Sequence, residues 1–398
     1  MNWVDLLVVA LAVLAAVSGA RQGMVTALPA FAGVLLGAVL GIRLAPLVVE
    51  QFSNQTTKVA FAVAIVVLLV ALGETLGVYV GRSIKQRVDA TRLRGVDNAL
   101  GAVVQGAVVF AVAWLIALPL TTVAGLPGLA SAIRGSTVLG AVNDVMPQSA
   151  RNLSEELKNL LDVSGFPAAV DPFSKTPIRS AEPPDPALLN SPVAQQLQAS
   201  VLKIRGRAPS CSRALEGSGF VVAPERVLTN AHVVAGTSEV AVEVGRGQLD
   251  ATVVYYNPDV DIAILAVPDL SAPVLAFRQQ DASPGQDGIV LGYPLDGPYT
   301  VSPARVRERF QLSGPDIYDS KKVRRDVYTV RATVRSGNSG GPLVDPTSDP
   351  KGQVLGVVFG AAVDDPETGF ALTGSQVRDY VARASGYDHK VTTGVCTG

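Results

Sequence analysis

The segment VRSGNSGGPLV, residues 334–344, places a serine where its surroundings are free to serve chemistry. Gly337 and Asn338 precede Ser339, and Gly340, Gly341 and Pro342 follow it. A serine hydroxyl is a weak nucleophile. It needs a base to take its proton and N–H groups to hold the oxyanion that its attack creates. Flanking glycines allow the backbone dihedrals that turn such N–H groups inward. A glycine-rich turn without chemistry has the same local pattern, so the rest of the chain must supply the base and an acid to orient it.

Two histidines are present, His232 and His389. His389 stands in a polar segment near residue 398 and reads as a solvated side chain. His232 lies in RVLTNAHVVAG, residues 226–236, where an apolar strand gives way to a polar turn and a run of small residues. A histidine there is either a satisfied core residue or a base, and beside a glycine-caged serine the catalytic reading is the stronger. The orienting acid is read from NPDVDIAILAV, residues 257–267. Asp261 opens an apolar strand, where a buried carboxylate can accept the imidazole N–H and fix the tautomer. Its competitor, Asp259, stands in a Pro-containing turn, where aspartate commonly bonds its own backbone. Asp261 is preferred because it adjoins the buried run.

The order His232, Asp261, Ser339 is that of chymotrypsin, not that of subtilisin or the α/β-hydrolases. It predicts an all-β double barrel, with His232 and Asp261 on the first barrel and Ser339 on the second. GSGFVV, TNAHVV, DVDIAIL and GNSGGPL occur in that succession. Together they resemble the trypsin-like serine proteases in their bacterial HtrA-type form, across residues 198–388. The resemblance implies that Ser339 is the nucleophile, that His232 is general base and then acid, and that Asp261 orients the imidazole. It also implies that the N–H groups of Gly337 and Ser339 form the oxyanion hole. By the same alignment Thr333 forms the base of the pocket for the substrate residue preceding the cut. It lacks the acidic charge that would favour Lys or Arg, so small, apolar or polar residues are expected there. Phe359 is either a wall of that pocket or a core side chain. Asn338 stands where trypsin has an aspartate, which removes activation by a newly cut N-terminus. The stretch after Ser339 is expected to be too short for the downstream peptide-binding domain of HtrA enzymes.

The N-terminal part has another character. Charged residues are 17% of the 398 and hydrophobic ones 48%, too apolar for an ordinary soluble protein. The excess lies in residues 1–123, rich in Ala, Val, Leu and Gly. Four apolar runs, 4–20, 25–48, 59–81 and 99–123, are long enough to span a bilayer. The first lacks the basic leader of a signal peptide and carries Asp5. RLRGVDNALGAVVQGA, residues 92–107, resembles the colicin V production family of small membrane proteins. The expected organisation is a transmembrane domain over 1–123, a linker over 124–198 with a short helix around 150–162, and the protease domain over 199–398. As a whole this resembles the membrane-anchored acid-resistance serine proteases.

Arg82, Lys85, Arg87, Arg92 and Arg94 face only Asp89 in the loop between the third and fourth runs, so that loop is expected in the cytoplasm. The fourth span then leads outward, placing the protease on the periplasmic or extracytoplasmic side of the cell membrane. The first loop, with Arg21, lies inside and the N-terminus outside. Cys211 and Cys396, the two cysteines, have no ligand-spaced partners. A disulfide between them, tying the tail to the entry of the protease, fits an oxidising compartment and would stabilise by up to about 5 kcal/mol in the chain-entropy model. No metal or cofactor is expected, and the net charge of −1 gives no reason to expect nucleic acid.

Gly33, Gly37 and Gly41, and likewise Gly73, Gly77 and Gly81, recur every fourth residue, the spacing at which small residues let two helices approach. Ordinary packing is the preferred reading. Glu74 within its apolar run is costly. It is protonated, faces the bundle interior, or marks a transport path.

The main functional expectation is a serine endopeptidase acting on envelope proteins. The alternative is a membrane transport or assembly scaffold with an accessory peptide-sensing protease fold. An imidazole must be neutral to accept the serine proton, and free histidine titrates near ~6.5, so turnover is expected to fall in acid. This stands in tension with the acid-resistance resemblance.

Overall fold

The computed structural model describes residues 2–49, 55–88, 94–120, 127–147 and 178–397, apart from 212, 246, 349–351 and 363. The chain divides into two compact units.

In the first unit Asn2 starts a helix. Its side-chain oxygen accepts from the N–H groups of Val4 and Asp5, and the Asp5 carboxylate accepts from the Asn2 N–H at 2.7 Å, a reciprocal cap. The helices are α1 (Trp3–Gln22), α2 (Met24–Val49), α3 (Gln55–Val88) and α4 (Arg94–Leu120). Each contains a stretch long and apolar enough to cross a membrane. The glycine stripes of α2 and α3 face each other. A Cβ added at Gly33 would collide with the Gly73 carbonyl, and one at Gly77 with the Pro29 carbonyl. Close packing of two backbones accounts for the fourfold spacing. Glu74, on α3, is half-buried.

Polar contacts tie the two ends of this bundle. At one end Lys85 Nζ donates to the carbonyls of Arg21 and Gln22, and Asp97 accepts from the Val25 N–H at 2.9 Å. At the other end two short helices, α5 (Pro127–Arg134) and α6 (Thr137–Val145), follow α4. Asp5, fully buried, accepts from Ser136 Oγ, Thr137 Oγ1 and the Val138 N–H at 2.5, 3.1 and 3.0 Å. Trp114 Nε1 donates to Asn143 at 3.1 Å. This corrects the expectation of a linker from residue 124. Residues 127–147 are folded onto the helical unit because Ile133 and Leu139 join its apolar core. The helix expected around 150–162 lies outside the described residues, as do 124–126 and 148–177 of the expected tether.

The second unit opens with α7 (Pro192–Leu197), whose proline occupies the first turn. Strands β1 (Val201–Ala208), β2 (Arg213–Ala223), β3 (Arg226–Thr229), β4 (Glu239–Val244), β5 (Gly247–Asn257) and β6 (Ile262–Ala266) close into a barrel in the order β1-β2-β3-β6-β5-β4. Strands β7 (Asp287–Gly292), β8 (Thr300–Pro315), β9 (Lys322–Ala332), β10 (Pro342–Asp345), β11 (Gln353–Ala361) and β12 (Thr368–Thr373) close a second barrel in the order β10-β11-β12-β9-β8-β7. All pairings are antiparallel. This is the double barrel that the triad order predicts. Phe220, Leu228, Ile262 and Ile264 of the first barrel share one buried core with Ile289, Leu291, Val327 and Phe370 of the second. Strands such as β6 are therefore continuous apolar runs rather than alternating ones. A last helix, α8 (Gly374–Ala382), is capped by the Thr373 side chain.

Cys211 and Cys396 form the expected disulfide, 185 residues apart in sequence. It pins a tail that lies along the first barrel. The Gly236 N–H donates to the Thr393 carbonyl at 3.0 Å, and the Val391 N–H to the Val253 carbonyl at 2.9 Å.

Candidate active site

His232 begins a single helical turn just after β3, Asp261 stands immediately before β6, and Ser339 lies in the turn between β9 and β10. The two barrels bring them together. His232 Nδ1 is 2.7 Å from Asp261 Oδ2, and His232 Nε2 is 2.8 Å from Ser339 Oγ. The His232 backbone N–H also donates to Asp261 Oδ1 at 3.0 Å. All three residues are buried. A carboxylate at Nδ1 keeps a proton there, which leaves Nε2 free to accept from the serine hydroxyl.

Asp261 holds left-handed backbone, φ +69, a conformation that aspartate tolerates better than most residues. Two bonds fix it. Its N–H donates to the Asn257 carbonyl at 3.0 Å, and the Asp261 carbonyl accepts from Asn230 Nδ2 at 2.7 Å. Asp259 instead pairs with Lys321 at 2.9 Å on the surface. Behind Asp261 lies the buried Arg325. Its guanidinium donates to the carbonyls of Asp259 and Pro315. Burial draws it below the ordinary arginine range, against the favourable charges of Asp261, Asp316 and Asp259.

The serine turn depends on two glycines. Gly337 has φ +91, and a Cβ there would collide with the Tyr293 carbonyl. Gly340 has φ +80, and a Cβ there would strike the Ser218 carbonyl. Ser218, on β2, anchors the turn: its N–H donates to the Ser339 carbonyl at 2.8 Å and its Oγ to the Gly337 carbonyl at 2.6 Å. Among the described residues, the N–H groups of Gly337 and Ser339 donate to no protein acceptor. N–H groups left unengaged beside a nucleophile are what a developing oxyanion requires.

Residues 217–357, which contain all three side chains, match the trypsin-like peptidase domain, and residues 4–147 match the colicin V production protein family. Over 396 residues, 99% of this chain and 98% of the relative, the sequence is 48% identical to the serine protease Rv3671c of Mycobacterium tuberculosis. The chain belongs to the Rv3671c family of serine proteases. The solved active form of the Rv3671c protease from M. tuberculosis is 53% identical, with a TM-score of 0.54 over 58% of this chain and all of that one. The putative serine protease HhoB of Synechocystis is 35% identical over 159 residues, 39% of this chain and 37% of that protein. The protein is thus a serine protease of the HtrA and Rv3671c type that carries an apolar helical region of membrane-spanning length.

In this Rv3671c-family protease the two expected pocket residues fare differently. Thr333 is exposed just beyond β9. Phe359 is 1% exposed. Its ring packs on Phe370, 6.0 Å between centroids, and under the Arg325 guanidinium at 5.7 Å, so of its two readings the core one holds and the pocket wall does not. His389 is solvated, beside Asp388. Sequence reasoning gave no role to Ser218 or Asn230, although both lie inside recognised motifs. Each acts on a backbone carbonyl far along the chain, which no local pattern reveals.

Proposed function

We propose that this chain is a membrane-anchored serine endopeptidase that cuts envelope proteins on the extracytoplasmic side by acyl-enzyme chemistry. Ser339 Oγ attacks the scissile carbonyl carbon while its proton passes to His232 Nε2. Asp261 holds the imidazole and stabilises the cation so formed. The N–H groups of Gly337 and Ser339 receive the oxyanion. Collapse of the adduct expels the amine, which takes the proton back from His232, and water then cleaves the acyl ester through the same relay.

The unbroken chain of hydrogen bonds from Asp261 through His232 to Ser339 carries this reading. Sidedness rests on two features. Arg21, Arg82 and Lys85 lie at one end of the bundle, where basic residues favour the cytoplasm, whereas α5 and α6 cap the opposite end. The disulfide suits an oxidising compartment. In this reading the four long helices hold the membrane, with α5 and α6 packed on them, and residues 199–398 catalyse. Exposed, uncharged Thr333 favours substrates with small, apolar or polar residues before the cut. A role in acid or stress resistance belongs to the same proposal.

A fluorophosphonate probe applied to the full chain in detergent tests the chemistry. Wild type labels at Ser339, and Ser339→Ala loses both labelling and peptidase activity. Full activity in Ser339→Ala would sink the mechanism.

A further inference from the structure

A strained loop of the second barrel touches the serine turn. Between β7 and β8, Leu295 and Asp296 both hold left-handed backbone, φ 56 and 57, which is unfavourable for leucine and persists only where surroundings impose it. The Leu295 N–H donates to the Ser336 carbonyl at 2.7 Å. That carbonyl and the Gly337 N–H share one planar trans peptide and point in opposite directions. The bond from Leu295 therefore sets the direction of the Gly337 N–H.

The first barrel holds the loop in place. Lys203 on β1 is buried. Its ammonium donates to the Asp296 carbonyl at 2.7 Å and pairs with the Asp296 carboxylate. A buried lysine requires such a partner. Arg205, two residues along β1, reaches the same carboxylate at 2.9 Å and is itself held by Glu216 and Glu243. The hydrogen bond from Lys203 holds the Asp296 carboxyl below its ordinary range. Ser218, opposite Lys203 in the β1–β2 register, accepts from the Tyr293 N–H at 2.9 Å while donating to Gly337. Neighbouring side chains of one barrel thus grip the loop and the turn of the other.

We propose that Lys203 is a positioning residue for the oxyanion hole: by clamping Asp296 it keeps Leu295 left-handed, and through the Leu295–Ser336 hydrogen bond it holds the Gly337 N–H toward the developing oxyanion. This rests on the acyl-enzyme reading above. Without the clamp Leu295 relaxes, the Ser336–Gly337 peptide is free to turn over, and half of the donor pair is lost. The relay among Asp261, His232 and Ser339 stays intact.

The test uses the full chain in detergent with a peptide amide substrate. Lys203→Met keeps the apolar stem and removes the charge, and Asp296→Asn changes an exposed side chain and spares folding. Each variant is expected to lose at least about tenfold in kcat with KM nearly unchanged, below the 10²–10³-fold ceiling for losing one oxyanion donor. Affinity for a peptide boronate, whose adduct places an oxygen in the hole, falls in the same proportion. The double variant is no worse than either single one, and Lys203→Arg recovers most of the rate. Unchanged kcat in both single variants overturns the proposal, as do additive losses or a kcat loss without loss of boronate affinity. If wild type fails to label with fluorophosphonate at Ser339, the acyl-enzyme reading itself has failed. A failed clamp alone leaves that labelling and the boronate affinity of the variants intact.

Discussion

In the helical unit the polar contacts that tie helices together gather at the two ends and the middle is largely glycine and aliphatic, although it holds Glu74, whereas in the barrel unit the polar residues of the site sit at the centre. Lys85 and Asp97 tie one end of the bundle and Asp5 the other, while Gly33 and Gly73 touch backbone to backbone between them. In the barrels Asp261, His232 and Ser339 lie buried at the seam between the two barrels, with Ser218, Asn230 and Arg325 buried around them. The bundle uses glycine to remove volume, and the site uses it to permit a dihedral. The contrast teaches that one residue type serves two physical ends, and that substitution should separate them: changes in the bundle should alter stability, and changes at the seam should alter turnover.

The largest expected effect is at the seam. Asp261→Asn should lower kcat by about 10⁴, about 5.5 kcal/mol of transition-state stabilisation. Steady-state kinetics on a peptide amide would show this with KM little changed. A loss of tenfold or less would mean that the carboxylate does not orient the imidazole.

A bundle substitution should do the reverse. Gly33→Leu inserts a side chain against the Gly73 carbonyl and should destabilise the α2–α3 pair by about 1–3 kcal/mol. Thermal unfolding in detergent, followed by helical circular dichroism, would reveal it, with kcat per labelled active site unchanged. An equal fall in kcat would break the separation between the two units.

The smallest effect concerns acid. Burial raises the Asp281 carboxyl, but hydrogen bonds from Ser375 and the charges of Arg309 and Arg378 outweigh it and leave it below its ordinary value. A depressed carboxyl contributes stability that is present above the unfolded value of ~3.9 and is lost as pH falls through the folded one. Asp281→Asn should therefore cost ~1 kcal/mol or less at pH 7 in urea unfolding. The gap from wild type should close as pH falls through the folded value, and a gap that persists once the carboxyl is protonated would point to a cause other than ionisation.

The triad was legible because the chemistry selects rare types: of two histidines only His232 lies in an apolar strand context. The barrel order followed from the succession of those residues. The second tier was not legible. Asn230, Ser218 and Lys203 act on carbonyls or a loop many residues away, so their roles exist only after folding. The short helices α5 and α6 read as tether because each is too brief for periodicity to stand out beside four long apolar runs. Phe359 stayed ambiguous because an aromatic on a buried strand looks the same whether it lines a pocket or packs on Phe370.

His232 and Asp261 belong to one barrel and Ser339 to the other. Silencing such an enzyme therefore needs no unfolded strand. A sub-ångström slip at the seam would part imidazole from hydroxyl while leaving both halves whole, since hydrogen-bonded proton transfer tolerates little misplacement. Whatever binds across that junction, substrate included, acts as a splint, and catalytic competence becomes a property of docking between halves rather than of either half alone.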